Sequence, residues 1–378
     1  MRRPSIRTAT ATLASVLLAA LASPVLPAGA AAVTAPATSR EPVHQTWDSG
    51  TDWESGTSRG LDRKGGRLVV ADTAPIRSID GFDQRVGTWT SPWRRTRLVE
   101  LTPSWQAYTG RGSLTIQVRV RSASGEKSSW DPVAVWGTSG RDRRTIRGHG
   151  DDVGLVHEGT WLAHDAAARL DAWQIRVRLT DLAHDASISN LWRIDAVTRA
   201  STVSTPVPSA PGPVAGRAEL DAPEHSVADE PGGQRWATAA AFTMALTGAG
   251  STSEAQRGPV AYTASKSFDN GTDAIDTFTF LTAFTSDTGL SDSWVTRLSG
   301  VAALETHLRS GDYVVVPLAH GDRPVLVVGI EVDGDVIVHD PTAPRDEEVR
   351  VVIDRSAFES DWLASGALAG IVTEQIID

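Results

Sequence analysis

Apolar and polar positions alternate along much of the first half of the chain. Residues 114–121 and 173–179 carry an apolar side chain at every second position. A two-residue period is typical of a β-strand with one buried and one solvated face. Turn signals such as Ser124-Gly125 separate these runs, and no long helical pattern interrupts them. Residues 43–200 are therefore predicted to form an all-β sandwich of antiparallel strands.

The pattern changes in the second half. An Ala-rich run at 234–246 lies between Gly232-Gly233 and Gly248, which predicts a buried helix. The remaining predicted elements are helices at 274–285, 301–309 and 356–363, strands at 313–318, 325–332, 335–339 and 366–377, and a tight hairpin at 332–335. Helices followed by an antiparallel sheet predict an α+β domain over residues 219–378.

Two further segments frame these domains. Residues 201–218 contain four prolines and no acidic residue, which predicts a semi-extended linker. Residues 1–30 combine a basic start, an apolar stretch and an Ala28-Gly29-Ala30 cleavage pattern, so a secretory signal peptide is predicted, with 31–42 as a flexible lead-in. The protein is expected to be secreted and extracellular with no stable membrane span, and the Arg2-Arg3 pair leaves the Sec and Tat export routes both open.

Charge and cysteine content exclude several functions. The chain has no cysteine, which excludes a cysteine nucleophile and a Cys-ligated zinc. Residues 43–200 hold 22 Lys and Arg against 19 Asp and Glu, whereas residues 219–378 hold 9 against 26. An acidic domain repels nucleic acid and anionic lipid, so neither is an expected partner. The histidines show no metal-ligand spacing, and no cofactor or metal is predicted.

Tryptophans concentrate in the first half of the chain. Most are expected in the sandwich core, because Trp is highly buried on average. Trp89, Trp93 and Trp130 stand beside Pro or Ser turns and are predicted to be exposed. An exposed indole offers a flat face for stacking on a sugar ring. These three are therefore sugar-stacking candidates, with cell-wall components among the expected partners.

A resemblance to a known family rests on segments of the second half. The segments are Ala222-Pro223-Glu224, Gly232-Gly233, Trp236-Ala237-Thr238, and residues 322–330, 333–341 and 352–363. Together they resemble the secreted papain-fold proteins of cysteine-peptidase family 39 and their actinobacterial relatives. The similarity extends to the N-terminal sandwich. The resemblance implies a papain-like cysteine-peptidase fold for residues 219–378.

The family's chemistry, carried over residue by residue, implies a degenerate site. The nucleophile position is Ala237, which has no lone pair, and the general-base position is Arg323, which stays protonated. The oxyanion-side position is Glu224, whose charge opposes a developing oxyanion. Only the histidine-orienting acid is retained, as Asp340. The resemblance therefore implies a peptidase-like protein that binds extended peptides without cleaving them, in a cleft with Trp236, Thr238 and Asp340 as candidate lining residues.

Two alternatives stay open. The first is an active hydrolase with a non-cysteine nucleophile, for which the neighbouring hydroxyl of Thr238 is the nearest candidate. Its base would come from His320 or His339, although His339 is expected to face away from Asp340. The second alternative is a glycan-binding protein that acts through the N-terminal sandwich.

Overall fold

A computed structural model describes most of the chain. The predicted signal peptide, nearly all of the predicted linker and the predicted helix at 274–285 lie outside the described residues. The described ranges are 42–137, 144–146, 148–157, 159–167, 169–184, 188–200, 218–228, 236–250, 292–319 and 323–373. Within these ranges, no helix combines the length and apolar character that crossing a membrane requires.

The first half is built almost entirely of strands. In chain order its elements are β1 (His44–Trp47), α1 (Gly50–Ser55), β2 (Thr57–Arg59), β3 (Leu61–Lys64), β4 (Arg67–Val70), β5 (Ile76–Ile79), β6 (Phe82–Thr90), β7 (Arg94–Arg95), β8 (Glu100–Tyr108), β9 (Ser113–Ser122), β10 (Asp131–Trp136), β11 (Arg144–Thr145), β12 (Gly154–His157), β13 (Thr160–Ala163), β14 (Leu170–Leu182) and β15 (Asn190–Arg199). The first sheet has the order β12-β13-β8-β15-β4-β3, with β1 also paired to β15. The second has the order β11-β10-β9-β14-β6-β2, with β5 on β6 and β7 on β14. One core of buried side chains contains residues from both sheets, which confirms a β-rich first half.

The alternation along β9 and β14 has the predicted effect on burial. Ile116, Val118 and Val120 of β9 are completely buried, whereas Gln117 and Arg119 between them keep part of their surface. The two strands pair in antiparallel register over most of their length. Their apolar sides therefore point to the same core, and their polar sides form one outer face of the second sheet.

The expected exposure of Trp89 is wrong. Trp89 has no exposed surface, and its Nε1 donates to the backbone oxygen of Trp53 at 3.0 Å. Its ring meets those of Trp47 and Trp53 edge to face, with centroids 5.5 and 5.2 Å apart. The inward side of β6 places the indole between the sheets, so Trp89 cannot stack on a sugar. Trp93 and Trp130 are half-buried.

The second half combines helices with a third sheet. Its elements are β16 (Ala218–Glu219), α2 (Ala237–Gly248), β17 (Ser293–Arg297), α3 (Val301–Arg309), β18 (Tyr313–Leu318), β19 (Arg323–Ile330), β20 (Val336–His339), a 3-10 turn (Asp346–Glu348), β21 (Arg350–Ile353), α4 (Arg355–Ala364) and β22 (Leu368–Val372). The order is β17-β22-β18-β19-β20-β21, with β16 on β19, and every pair is antiparallel. The predicted helix at 301–309 and strand at 313–318 have the predicted ends, whereas β17 and β21 were not predicted.

Helices cover both faces of the third sheet. The apolar side chains of α2 pack with Val315 and Leu326, while those of α3 and α4 pack with Val314 and Val325. Neighbouring residues of one strand therefore contact opposite helical layers. This explains why β18 is apolar along its whole length, as strands buried on both faces are.

The first and third sheets meet along β17. Ser104 Oγ accepts from the backbone N–H of Val295 at 3.0 Å, and Gln106 Nε2 donates to the oxygen of Ser293 at 3.0 Å. Beside these bonds, the carboxylate of Glu100 pairs with the guanidinium groups of both Arg297 and Arg199. A buried ionic group thus joins the two halves of the chain.

Candidate functional site

The start of α2 is the first part of the candidate site. The helix begins at Ala237, and Trp236 precedes it without a side-chain capping bond. Ala237 is only 2 % exposed and packs with Val227 and Ala240. Backbone N–H groups at a helix start carry partial positive charge, which favours an anion or a thiolate there. The methyl side chain of Ala237 is uncharged, so this partial positive charge does not stabilise it.

A short segment links α2 to the end of β20. Val227, which packs on Ala237, donates its backbone N–H to the oxygen of Pro341 at 2.9 Å. Ser226 Oγ donates to the oxygen of Ala343 at 2.5 Å, next to the same strand end. These contacts bring Ala237 into the neighbourhood of Pro341, which directly follows Asp340 in the chain.

Arg323 and Asp340 form an ion pair at this strand end. Arg323 is the first residue of β19, and Asp340 directly follows β20, which pairs with β19. Arg323 Nε and Nη2 both approach Asp340 Oδ2, at 2.7 and 2.6 Å. Thr342 donates its N–H and its hydroxyl to Oδ1, at 2.9 and 2.6 Å. The carboxylate therefore has polar partners on both oxygens.

The guanidinium group of Arg323 is the more exposed member of this pair. Its side chain is 38 % exposed, whereas that of Asp340 is 7 % exposed. Arginine remains protonated near neutral pH and accepts no proton. The pair joins two neighbouring strand ends, and its guanidinium group cannot act as a general base.

His339, the other candidate base, is buried near the same strand end. It is 4 % exposed, and its Nδ1 lies 3.2 Å from the oxygen of Pro223. Burial lowers the pKa of His339, against smaller raising effects from that hydrogen bond and from Glu224, so the imidazole is neutral near pH 7. Among the described hydrogen bonds, none joins His339 to Thr238, which is itself 6 % exposed. His320 lies outside the described residues.

The structure brings several of the predicted site residues together. Ala237 lies near the strand end that carries Asp340, and Arg323 contacts Asp340 directly. Glu224 is exposed. Its effect on the pKa of His339 places its charge near that imidazole. In the described part of the chain, no group of three or more His, Asp or Glu residues is placed to hold a metal ion.

Two features of the structure were not predicted from the sequence. A polar cleft of ≈ 260 Å³ lies where the first half meets the third sheet, lined among others by Arg67, Gln106, Trp192 and Asp292. Several arginines also share the outer face of the second sheet. The repeated Arg-Val-Arg triplets at 119–121 and 176–178 were the available signal for that face, because alternation places both arginines of each triplet on one side.

Arg323→Ala is expected to lower the free energy of unfolding by about 1 kcal/mol, because it leaves a buried carboxylate with fewer donors. The partial exposure of the guanidinium keeps the effect below that of a fully buried pair. Chemical denaturation measures the change. Arg309→Ala, which removes an exposed helical pair with Glu305, is the control and should cost no more than about 0.5 kcal/mol. Equal unfolding midpoints for the natural chain and Arg323→Ala would contradict a structural role for the pair.

Comparison with known proteins gives a family match for the first half of the chain. Residues 43–199 match the family model described as the Peptidase C39 N-terminal domain. No curated protein matches the chain. The match covers the first two sheets and includes neither α2 nor the third sheet. Through residues 43–199, the chain is similar to the N-terminal domain of C39-type peptidases of the actinobacterial kind.

Proposed function

We propose that the protein is a secreted, catalytically degenerate relative of the family-39 cysteine peptidases whose second half binds extended peptides. The observation that carries the proposal is the ion pair between Arg323 and Asp340, close to the start of α2. In an active relative these positions would hold a base, its orienting acid and a nucleophile. Here a fixed cation and a methyl group replace the base and the nucleophile.

The layering of the second half supports a papain-like assignment. A buried helix packs against an antiparallel sheet, and its first residue lies near the sheet end that carries the ion pair. The N-terminal match to a peptidase family supports descent from a peptidase. The basic and apolar start of the sequence supports export.

Charge points to the class of peptide. Residues 219–378 carry a large excess of carboxylates, and Glu224 adds an exposed one near the candidate cleft. Such a surface attracts cationic chains and repels anionic ones. Lys- and Arg-containing extended peptides are therefore the expected ligands.

The proposal is tested by incubating the secreted protein with a library of fluorescent peptides. Binding is read by anisotropy and cleavage by mass spectrometry of the same samples. We expect binding of cationic peptides with no new fragments, because the described site offers neither a nucleophile nor a free base.

The matched variants are Glu224→Arg and Asp62→Arg, which make the same charge change on the two halves of the chain. Asp62 is exposed on β3. Glu224→Arg should weaken binding of a cationic peptide about three- to fivefold, as the loss of one exposed charge pair does, and Asp62→Arg should leave it unchanged. Cleavage that iodoacetamide does not stop would overturn the proposal and favour a hydrolase with another nucleophile.

A further inference from the structure

Three arginines lie side by side on the outer face of the second sheet. In the register of β9 and β14, Arg119 is opposite Gln174, Gln117 opposite Arg176, and Thr115 opposite Arg178. Arg121 continues the same side of β9 by alternation. We call Arg119, Arg121, Arg176 and Arg178, together with the indoles of Trp93 and Trp130, the arginine face.

Each of these three arginines donates a hydrogen bond to a neutral acceptor on the neighbouring strand. Arg119 Nη2 donates to Gln174 Oε1 at 2.7 Å, and Arg176 Nε donates to Gln117 Oε1 at 2.8 Å. Arg178 Nη2 donates to Thr115 Oγ1 at 3.2 Å. An amide or hydroxyl oxygen orients a guanidinium group without neutralising its charge.

The two half-buried indoles add a second support. The guanidinium carbons of Arg119 and Arg176 lie 4.5 and 4.3 Å from the ring centroid of Trp130. Those of Arg119 and Arg121 lie 5.1 and 4.8 Å from that of Trp93. Such cation–π contacts fix the plane of a guanidinium group while its outer N–H groups stay available to a ligand. Both indoles, which the sequence marks as sugar-stacking candidates, therefore also carry cations on their rings.

The positive charge of this face is largely uncompensated within the described ranges. Asp171 lies 3.8 Å from Arg121 Nε, and no described carboxylate lies within 4.0 Å of Arg119, Arg176 or Arg178. Burial lowers the pKa of Arg176, and the positive charges of Arg119 and Arg178 lower it further. Arginine nevertheless stays protonated at neutral pH, so like charges are held close together.

We propose that the arginine face binds an anionic polysaccharide that carries carboxylate groups along its chain. Guanidinium forks match carboxylate geometry, and several preoriented forks on one flat sheet suit a ligand with repeated charges. Gln117, which lies between these arginines, keeps part of its surface exposed and offers its amide to sugar hydroxyls, whereas Gln174 and Thr115 are buried.

Duplex DNA fits this surface less well. It carries one charge per about 1.7 Å of axis, a denser array than guanidinium groups on strands about 4.8 Å apart can match. The guanidinium groups of the arginine face lie on adjacent strands or two residues apart on one strand. This spacing is a better match to a chain that carries one carboxylate per sugar unit.

The test measures binding of a galacturonic acid oligomer to the secreted protein by isothermal titration calorimetry, with a neutral glucose oligomer of equal length beside it. We expect binding of the charged oligomer that weakens as salt is added, and no binding of the neutral one. Arg176→Gln should weaken the affinity about tenfold and Arg119→Gln with Arg176→Gln about a hundredfold. Arg309→Gln on α3, which removes the same charge elsewhere, should have no effect.

Because Arg119 covers buried parts of the sheet, its loss also perturbs packing. Arg178→Gln removes an exposed member of the face, should leave the melting curve unchanged, and should weaken binding about tenfold. Equal affinities for the natural protein and Arg178→Gln would overturn the proposal. Tighter binding of duplex DNA than of the oligomer would also overturn it. Dimers in sedimentation that Arg178→Gln abolishes would overturn it too, because the acidic half of a second copy would then occupy the arginine face.

Discussion

Glu100→Ala is expected to lower the free energy of unfolding by about 3–5 kcal/mol, because it leaves a buried guanidinium without its counter-charge. The side chain of Arg297 is 2 % exposed and that of Glu100 is 11 % exposed. Burial lowers the pKa of Arg297, and Glu100 is the group that opposes this effect. After the substitution, Arg297 keeps its bond to the oxygen of Gly366, which satisfies one donor and neutralises no charge.

Chemical denaturation at constant pH measures this loss. Glu54→Ala is the matched control, since its carboxylate is 59 % exposed and pairs with Arg63, which is 46 % exposed. That exposed pair should contribute no more than about 1 kcal/mol. If Glu100→Ala and Glu54→Ala cost the same, the Glu100 cluster does not stabilise the contact between the first and third sheets.

Local patterns in the sequence predicted the elements that have one buried and one exposed face. Ile116, Val118 and Val120 alternate with polar residues, and the strand that contains them was recognised from that period alone. The helix at 301–309 has an apolar stripe, with Val301, Leu304 and Leu308 buried. In both elements a single face contacts the core, so the sequence period and the packing carry the same information.

Contacts between distant residues were not predictable in this way. Glu100 and Arg297 are separated by 197 positions, and neither residue has a local signature that distinguishes it from a solvated charge. The exposure of Trp89 was predicted wrongly for a related reason. Its Pro and Ser neighbours indicated a turn, whereas the sheet on which it lies directs the indole into the core. Burial of such residues depends on which sheets face each other, and periodicity does not report that.

The proximity of Arg323 and Asp340 was predictable from the sequence, and the geometry of their contact was not. The resemblance placed Arg323 opposite Asp340, and the two do contact each other. It gave no indication that both guanidinium donors would converge on Oδ2 while Thr342 occupies Oδ1. The sequence predicted a buried helix here, but it gave no indication that the segment carrying Val227 would cover Ala237.

The double substitution Ala237→Cys with Arg323→His is expected to create thiol-dependent peptide hydrolysis. A thiol at the start of α2 gains from the helix dipole, which favours the thiolate. An imidazole at 323 would have Asp340 Oδ2 within reach as its orienting acid, in place of the present guanidinium. General acid–base catalysis by that imidazole should raise the rate at least about a hundredfold over Ala237→Cys alone.

The two single variants and the natural protein are the controls, assayed on the same peptides with and without iodoacetamide. The pH dependence of alkylation gives a second readout, because a thiol beside an imidazolium should react below its ordinary pKa of about 8.5. Ala237 packs against Val227, so a thiol that neither alkylates nor cleaves peptides would show that this position is closed to ligands. That result would contradict peptide binding at the start of α2. Alkylation at a pH below the ordinary thiol pKa, with activity only in the double variant, would instead identify an intact cleft that has lost its nucleophile and its base.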